Sequence, residues 1–401
     1  MRIRGLVRVV IAVALALAAF AGVLAAPACA KAPVTPVLPT PEPLDTDPDA
    51  TPEEQAAELL SRLTLEEKVA QLFIITPEAL TGYDTVTAAG RVSKEAYGEC
   101  PVGGLIYFAR NIEDPEQVRA MLAGMQVIAR DRVGLPLFTC IDEEGGLVVR
   151  IADNPAFGLT NVGDASAIGA TGDAAQATLA AETIAAYLHD LGFNVNFAPV
   201  ADVVTDLATS PIGERSFGSD PEVVAAMVSA QVKAYLAAGI LPCAKHFPGL
   251  GNTVNDTHYA STIIPGSKAQ LEACELVPFA AAVSARVPFV MVGHAGVPEV
   301  VGSDLPASFS SIIIQGLLRG DLGYTGLVIT DALNMASARE LYTDYRIGVE
   351  ALLAGADLIL MPVDYETTFK GIVEAVKSGE LTEARIDESV TRIILAKLAL
   401  A

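Results

Sequence analysis

From Thr51 to the C-terminus, eight short apolar runs alternate with longer amphipathic stretches. The runs cover residues 71–75, 104–108, 137–142, 194–200, 241–246, 289–293, 327–331 and 357–362. Runs this short and this apolar suit strands buried on both faces, and the stretches between them suit crossover helices, so a parallel α/β sheet is expected. Helices are expected at 115–132, 174–191, 221–238, 269–285, 310–322 and 383–400. Asp114 and Asp220 each precede a proline, which gives an N-cap followed by Pro at the first helical position. Gly134, Gly192 and Gly239 stand where helices should end. Eight such units over roughly 350 residues match a single (β/α)8 TIM barrel. A doubly wound sheet is the competitor, but no Gly-x-Gly-x-x-Gly opens the first unit. Asp142, Lys245, His246 and Asp331 instead end three different strands, the pattern of a barrel's catalytic face.

The N-terminus reads separately. Arg2, Arg4 and Arg8 precede or flank an unbroken apolar run over 9–28, followed by small residues, so 1–30 is expected to be a secretory signal; a membrane anchor is the alternative. Ala28-Cys29-Ala30 fits an ordinary cleavage site, and Cys29 is also a candidate lipidated N-terminus. Residues 31–52, rich in Pro, Thr and Asp, are expected to form an extended linker. That leaves 53–401 for the barrel and places the protein outside the cell or in its envelope. This leader also inflates the apolar content of 52%. The formal charge of −22 becomes about −25 without the three leader arginines, and with no basic run a nucleic-acid partner is not expected. Membrane contact is expected only through an N-terminal lipid. Cys100, Cys140, Cys243 and Cys274 lack metal-type spacing, and Cys140 and Cys243 sit within apolar runs as small buried hydrophobes.

Four motifs carry candidate chemistry. Asp331 emerges from the seventh run, placed as a nucleophile, a metal ligand or merely the N-cap of the next helix. The segment 245–258 opens with Lys245 and His246, continues through Gly249, Gly251 and Asn252, and carries Asp256 two residues before His258. An imidazole exchanges protons near neutral pH, and a neighbouring carboxylate orients it and stabilises its charged form. Asp142 and Arg150 flank a turn at Gly145-Gly146 and suit hydroxyl recognition, with a structural salt bridge as the plainer alternative. Arg215 lies in a loop after the fourth run and means little alone.

Together these segments resemble the N-acetyl-β-glucosaminidase branch of glycoside hydrolase family 3, in the order 142–150, 213–217, 245–258 and 330–335. The resemblance implies a retaining exo-glycosidase acting on terminal N-acetylglucosamine of peptidoglycan fragments or related oligosaccharides. It implies Asp331 as nucleophile, His258 as acid/base and Asp256 as its orienting group. Asp142, Arg150, Arg215, Lys245 and His246 would hold the terminal sugar, with no cofactor or metal. It also implies a barrel without the C-terminal α/β sandwich from which β-glucosidases of the family usually draw their acid/base. Phosphorolysis is a further expectation, because a histidine adds no second negative charge to repel phosphate. A β-glucosidase, a metal-dependent hydrolase using His246, Asp256 and His258, and a non-catalytic sugar-binding lipoprotein are the alternatives. The chain departs from the family pattern at Leu147, Leu250 and Ala332, where Arg, His and an acidic residue are usual.

Overall fold

The computed structural model describes residues 49–400 apart from 208, 254 and 258. The expected signal, Cys29 and most of the expected linker lie outside the described residues, as does His258.

The strands are β1 (Phe73–Ile75), β2 (Gly104–Ile106), β3 (Phe138–Ile141), β4 (Val195–Asn196), β5 (Leu241–Phe247), β6 (Thr262–Ile263), β7 (Phe289–Val292), β8 (Ala295–Gly296), β9 (Leu327–Thr330) and β10 (Ile359–Leu360). Eight of them pair in the order β10-β1-β2-β3-β4-β5-β7-β9, every pair parallel. The ring closes through a parallel bridge between Ile329 and Leu358, where Leu358 N–H donates to the Val328 carbonyl at 3.0 Å and Thr330 N–H to that of Leu358 at 3.1 Å. This is the expected (β/α)8 barrel. β6 and β8 form a separate parallel ribbon. Every barrel-strand residue is buried, because side chains pack the barrel interior on one face and the helices on the other.

Sequence signals set the helix ends as expected. Asp114 accepts from the N–H groups of Glu116 and Gln117, and Asp220 from that of Glu222. Gly134 and Gly192 take the left-handed conformation that closes a helix.

Several expectations need correction. The first helix among the described residues is Pro52–Ser61, capped by Thr51, so residues 51 and 52 at the end of the expected linker belong to a helix start. The expected helix over 269–285 is two, Lys268–Ala273 and Leu276–Ser284, broken at Cys274. The break turns Glu275 toward the loop after β5, where its carboxylate accepts from Asn252 at 2.9 Å. The stretch near 310–322 winds as a π-helix, Ile312–Asp321, and Leu322 N–H closes it onto the Leu317 carbonyl. Such widening is rare and is invisible to an apolar period that both windings share.

The barrel's N-terminal end is closed by charge. Asp357, fully buried ahead of β10, accepts from Arg319 at 2.6 Å, Arg392 at 3.0 Å and Ser389 at 2.7 Å. This ties β10 to the C-terminal helix Glu383–Leu398. Lys397 of that helix reaches beneath the strands, where its ammonium donates to Gln71 at 2.7 Å and lies 5.0 Å from the Phe138 ring centre. Complete burial pushes the Lys397 ammonium down to about 7. The unfolded chain therefore binds more protons than the folded one between about pH 7 and 10.4, and this lysine makes stability rise with pH across that window. Lys397→Met is accordingly expected to raise the melting temperature below pH 7, by about 3 kcal/mol of stability, with the gain shrinking toward pH 10. Equal gains at pH 6 and pH 9.5 in thermal melts would show that Lys397 is not the titrating group.

Candidate active site

The site grows from the C-terminal ends of β3, β5 and β9. After β3 the chain runs Asp142-Glu143-Glu144, and alternation sends the first and third carboxylates one way and the second the other. Glu143 is fully buried and accepts from the N–H groups of Arg150 at 2.6 Å, Ile151 at 3.1 Å and Ala152 at 3.0 Å, with the Tyr187 hydroxyl at 2.9 Å. It thereby folds 144–152 into a fixed hairpin. Gly146, at φ +56°, is needed at its tip because a β-carbon there would overlap the Asp164 carboxylate.

Asp142 and Glu144 receive the Lys245 ammonium from β5, at 2.7 Å each. Glu144 also takes Arg215 in a two-pronged pair, both contacts at 2.8 Å. Burial alone would raise the Glu144 carboxyl, but Arg215 and Lys245 outweigh it and hold Glu144 far below the usual carboxylate range. Burial would likewise lower Lys245, yet Asp142 and Glu144 raise it, so it stays charged. The salt bridge considered for Asp142 thus exists, with Lys245 as its partner. Arg150 instead lies over the Phe108 ring at 5.6 Å.

Asp331 follows β9 directly. It is not the N-cap of the next helix, Ala336–Arg339, a position that Met335 occupies. Its carboxylate accepts from the Ala332 N–H at 2.7 Å. Burial would raise it, but His246, His294, that N–H and Lys245 hold it below the ordinary aspartate value. Asp331 is therefore a carboxylate in neutral solution.

His246 and the loop behind it hang on Asp202, which is fully buried after β4. Asp202 meets His246 Nδ1 at 2.8 Å and accepts from the backbone N–H of His246 at 3.2 Å and of Leu250 at 2.6 Å. The loop is pinned further along, because Gly251 passes so close to Val203 that a β-carbon would strike the Val203 carbonyl. Leu250, where His is usual in the resembling enzymes, is buried. Asp256 and Thr257 then open with Asp331, His246 and Arg215 onto one small cavity, and Ser337 donates to the Thr257 carbonyl at 2.8 Å. Asp331 also borders a cavity of about 330 Å³ lined by Asp142, Arg150, Arg215, Lys245 and His246. Of the candidate catalytic and sugar-binding residues, all but His258 are among those described, and all of these border one or both cavities. Among the described residues no cluster of three His, Cys, Asp or Glu side chains is arranged to hold a metal.

The family model described as the glycosyl hydrolase family 3 N-terminal domain matches residues 64–396. The chain belongs to glycoside hydrolase family 3. A β-hexosaminidase A of Pseudoalteromonas piscicida is 35% identical over 324 residues, which cover 75% of this chain and 54% of that protein. A β-hexosaminidase of Chromobacterium violaceum is 35% identical over 266 residues, covering 65% of this chain and 71% of the relative. Among solved structures, a family 3 β-N-acetylglucosaminidase from Paenibacillus sp. str. FPU-7 superposes with a TM-score of 0.79 at 38% identity, covering 84% of this chain and 63% of that one. The chain thus spans about half of the Pseudoalteromonas relative and less than two thirds of the Paenibacillus one.

Three residues of this family 3 site escaped the sequence reading: Glu144, Asp202 and His294. Burial lowers His294 and Asp331 raises it, with burial prevailing, so the ring is neutral. Its Nε2 faces the Ala332 carbonyl at 3.1 Å and must carry the proton, which leaves Nδ1 to accept from Ser308 at 2.8 Å. His294 thus steadies the backbone beside Asp331. Its position immediately after an apolar run was a usable signal. Asp202 had none, since the acid and the histidine it serves are far apart in sequence. Asp202→Asn is expected to lower kcat/KM about 10- to 100-fold through disorder of His246 and its loop. Steady-state kinetics on a chromogenic glycoside checks this, and an unaltered kcat/KM would refute it.

Proposed function

We propose that the protein is a retaining exo-β-N-acetylglucosaminidase acting on peptidoglycan fragments or related oligosaccharides. The observation that carries this reading is the ionised, partly buried Asp331 at the edge of a cavity walled by Asp142, Arg150, Lys245 and Arg215, with the Asp256 loop opening onto the same carboxylate. The names of the relatives support the aminosugar. In this mechanism Asp331 attacks the anomeric carbon while His258 gives its proton to the departing glycosidic oxygen, so the carbon–oxygen bond breaks and a glycosyl ester forms on Asp331. His258 next takes a proton from water, which attacks the same carbon and releases N-acetylglucosamine with its configuration retained. Asp256 orients the imidazole and stabilises its charged form. Secretion, with Cys29 as either cleavage-site residue or lipid attachment point, belongs to the same proposal.

Hydrolysis of 4-nitrophenyl N-acetyl-β-D-glucosaminide beside the matching β-glucoside tests it. Turnover of the aminosugar substrate, weak or absent turnover of the glucoside, and a loss of about 10²- to 10⁴-fold in His258→Ala are expected. Equal turnover of both substrates, or of neither, would reject the reading.

A further inference from the structure

Beyond Asn334, Met335 and Met361, which also border the cavity beside Asp331, lies a second and larger cavity of about 600 Å³. Its wall includes Arg110, Tyr259, Arg339, Pro362 and Val363, and no acidic side chain. That is unexpected in a chain with 48 Asp and Glu against 26 Lys and Arg. Arg339 is exposed, and its guanidinium makes no hydrogen bond or ion pair among the described residues. Arg110 is held in place by two contacts. Its guanidinium carbon lies 5.6 Å from the Phe108 ring centre, on a ring that Arg150 of the inner cavity also approaches at 5.6 Å, and its Nη2 reaches Glu78 at 3.4 Å. Glu78 is the carboxylate that Arg110 meets. It is shared with the Asn111 amide and the Val86 N–H, so it offsets Arg110 only in part.

We infer that this outer cavity is the leaving-group subsite and that Arg110 and Arg339 select a leaving-group sugar bearing a carboxylate. The inference rests on the proposed function, because the inner cavity must hold the terminal N-acetylglucosamine for the outer one to receive what departs. The chemistry follows from the wall. Met335, Met361, Val363 and the Tyr259 ring offer an apolar bed for a sugar face, as aromatic and thioether groups do elsewhere. The two guanidiniums supply the planar, paired donors that match a carboxylate. A neutral leaving group gains nothing from them. An anion approaching a chain of net charge −22 would otherwise be repelled, so a local positive mouth also raises its rate of encounter.

The test compares two substrates that differ in one group: N-acetylglucosaminyl-β-1,4-N-acetylmuramic acid and the same disaccharide with its lactyl carboxylate converted to the carboxamide. The full chain is expected to favour the acid in kcat/KM by about 10-fold at low salt, a figure kept small because both arginines are partly exposed. Salt at 0.5 M should compress that preference. Arg110→Ala with Arg339→Ala should bring the acid-to-amide ratio close to one, and Arg339→Lys should retain part of it. A wild-type ratio of one, or a ratio unchanged in the double variant, overturns the subsite while leaving the proposed function standing. A wild-type enzyme that cleaves neither disaccharide nor 4-nitrophenyl N-acetyl-β-D-glucosaminide overturns both.

Discussion

Asp331→Asn is expected to lower kcat by about 10³- to 10⁵-fold while leaving the fold intact, because the amide oxygen still accepts the Ala332 N–H but cannot form a glycosyl ester. The prediction is sharp because Asp331 follows a fully buried strand and is set beside three potential cations, His246, His294 and Lys245. Those groups also fix its pH behaviour. Held below the ordinary aspartate value, Asp331 remains ionised down to about pH 4, so it should add no acid limb to kcat/KM above that pH. A shorter variant, Asp331→Gly, leaves room for azide, and a retaining enzyme should then release the α-glycosyl azide. Recovery of more than a tenth of wild-type kcat in Asp331→Asn, after repurification to exclude deamidation, would remove Asp331 from the nucleophile's role.

The second large effect falls on Glu144. Glu144→Ala removes the carboxylate that neutralises both Arg215 and Lys245, and leaves Arg215 without its ion-pair partner in a nearly closed site. Breaking a buried pair from one side costs about 3–5 kcal/mol, since the remaining charge stays desolvated. The direction with pH follows from the depressed folded-state value. Glu144 contributes its full stabilisation above the unfolded carboxyl value of about 4.3, and that contribution is lost as acid approaches the folded value. Urea denaturation of wild type and variant should therefore differ by a constant amount between pH 7 and pH 5, and by progressively less below pH 4. A difference under about 1 kcal/mol at pH 7 would mean that water screens the pair. Activity should fall together with stability, because Arg215 loses its ion-pair partner and Lys245 one of the two carboxylates that set its position.

These two residues show where the sequence was legible. Asp331 stood out locally, as one acid ending an otherwise apolar run, and the structure then removed the alternative that it caps the next helix, because Met335 holds that position. Glu144 stood two residues from Asp142 beside an equally acidic neighbour, Glu143, and nothing in the string distinguished the two glutamates. The structure gives them different work, since Glu143 folds the hairpin from behind while Asp142 and Glu144 gather Lys245 and Arg215. Helix termini were readable for the same local reason, because an Asp-Pro start and a glycine stop act within a few residues. The break at Cys274 and the π-helical turn at Ile312–Asp321 were not, since the break sets Glu275 against Asn252 of a distant loop and the apolar period does not separate π from α winding.

By itself, the sequence determined the barrel, its one catalytic end, and the residue types available there, because strand burial, capping and turn geometry are short-range and leave a periodic trace. The tertiary structure alone decided which charges neutralise which. Lys245 lies 103 positions from Asp142 and Arg215 lies 71 from Glu144. Ion pairing depends on distance in space and on exclusion of water, and neither has a period along the chain. That is why Asp331 could be singled out as a candidate from the end of an apolar run, while Asp202 and the two arginines of the outer cavity became visible only when the barrel brought them to one face.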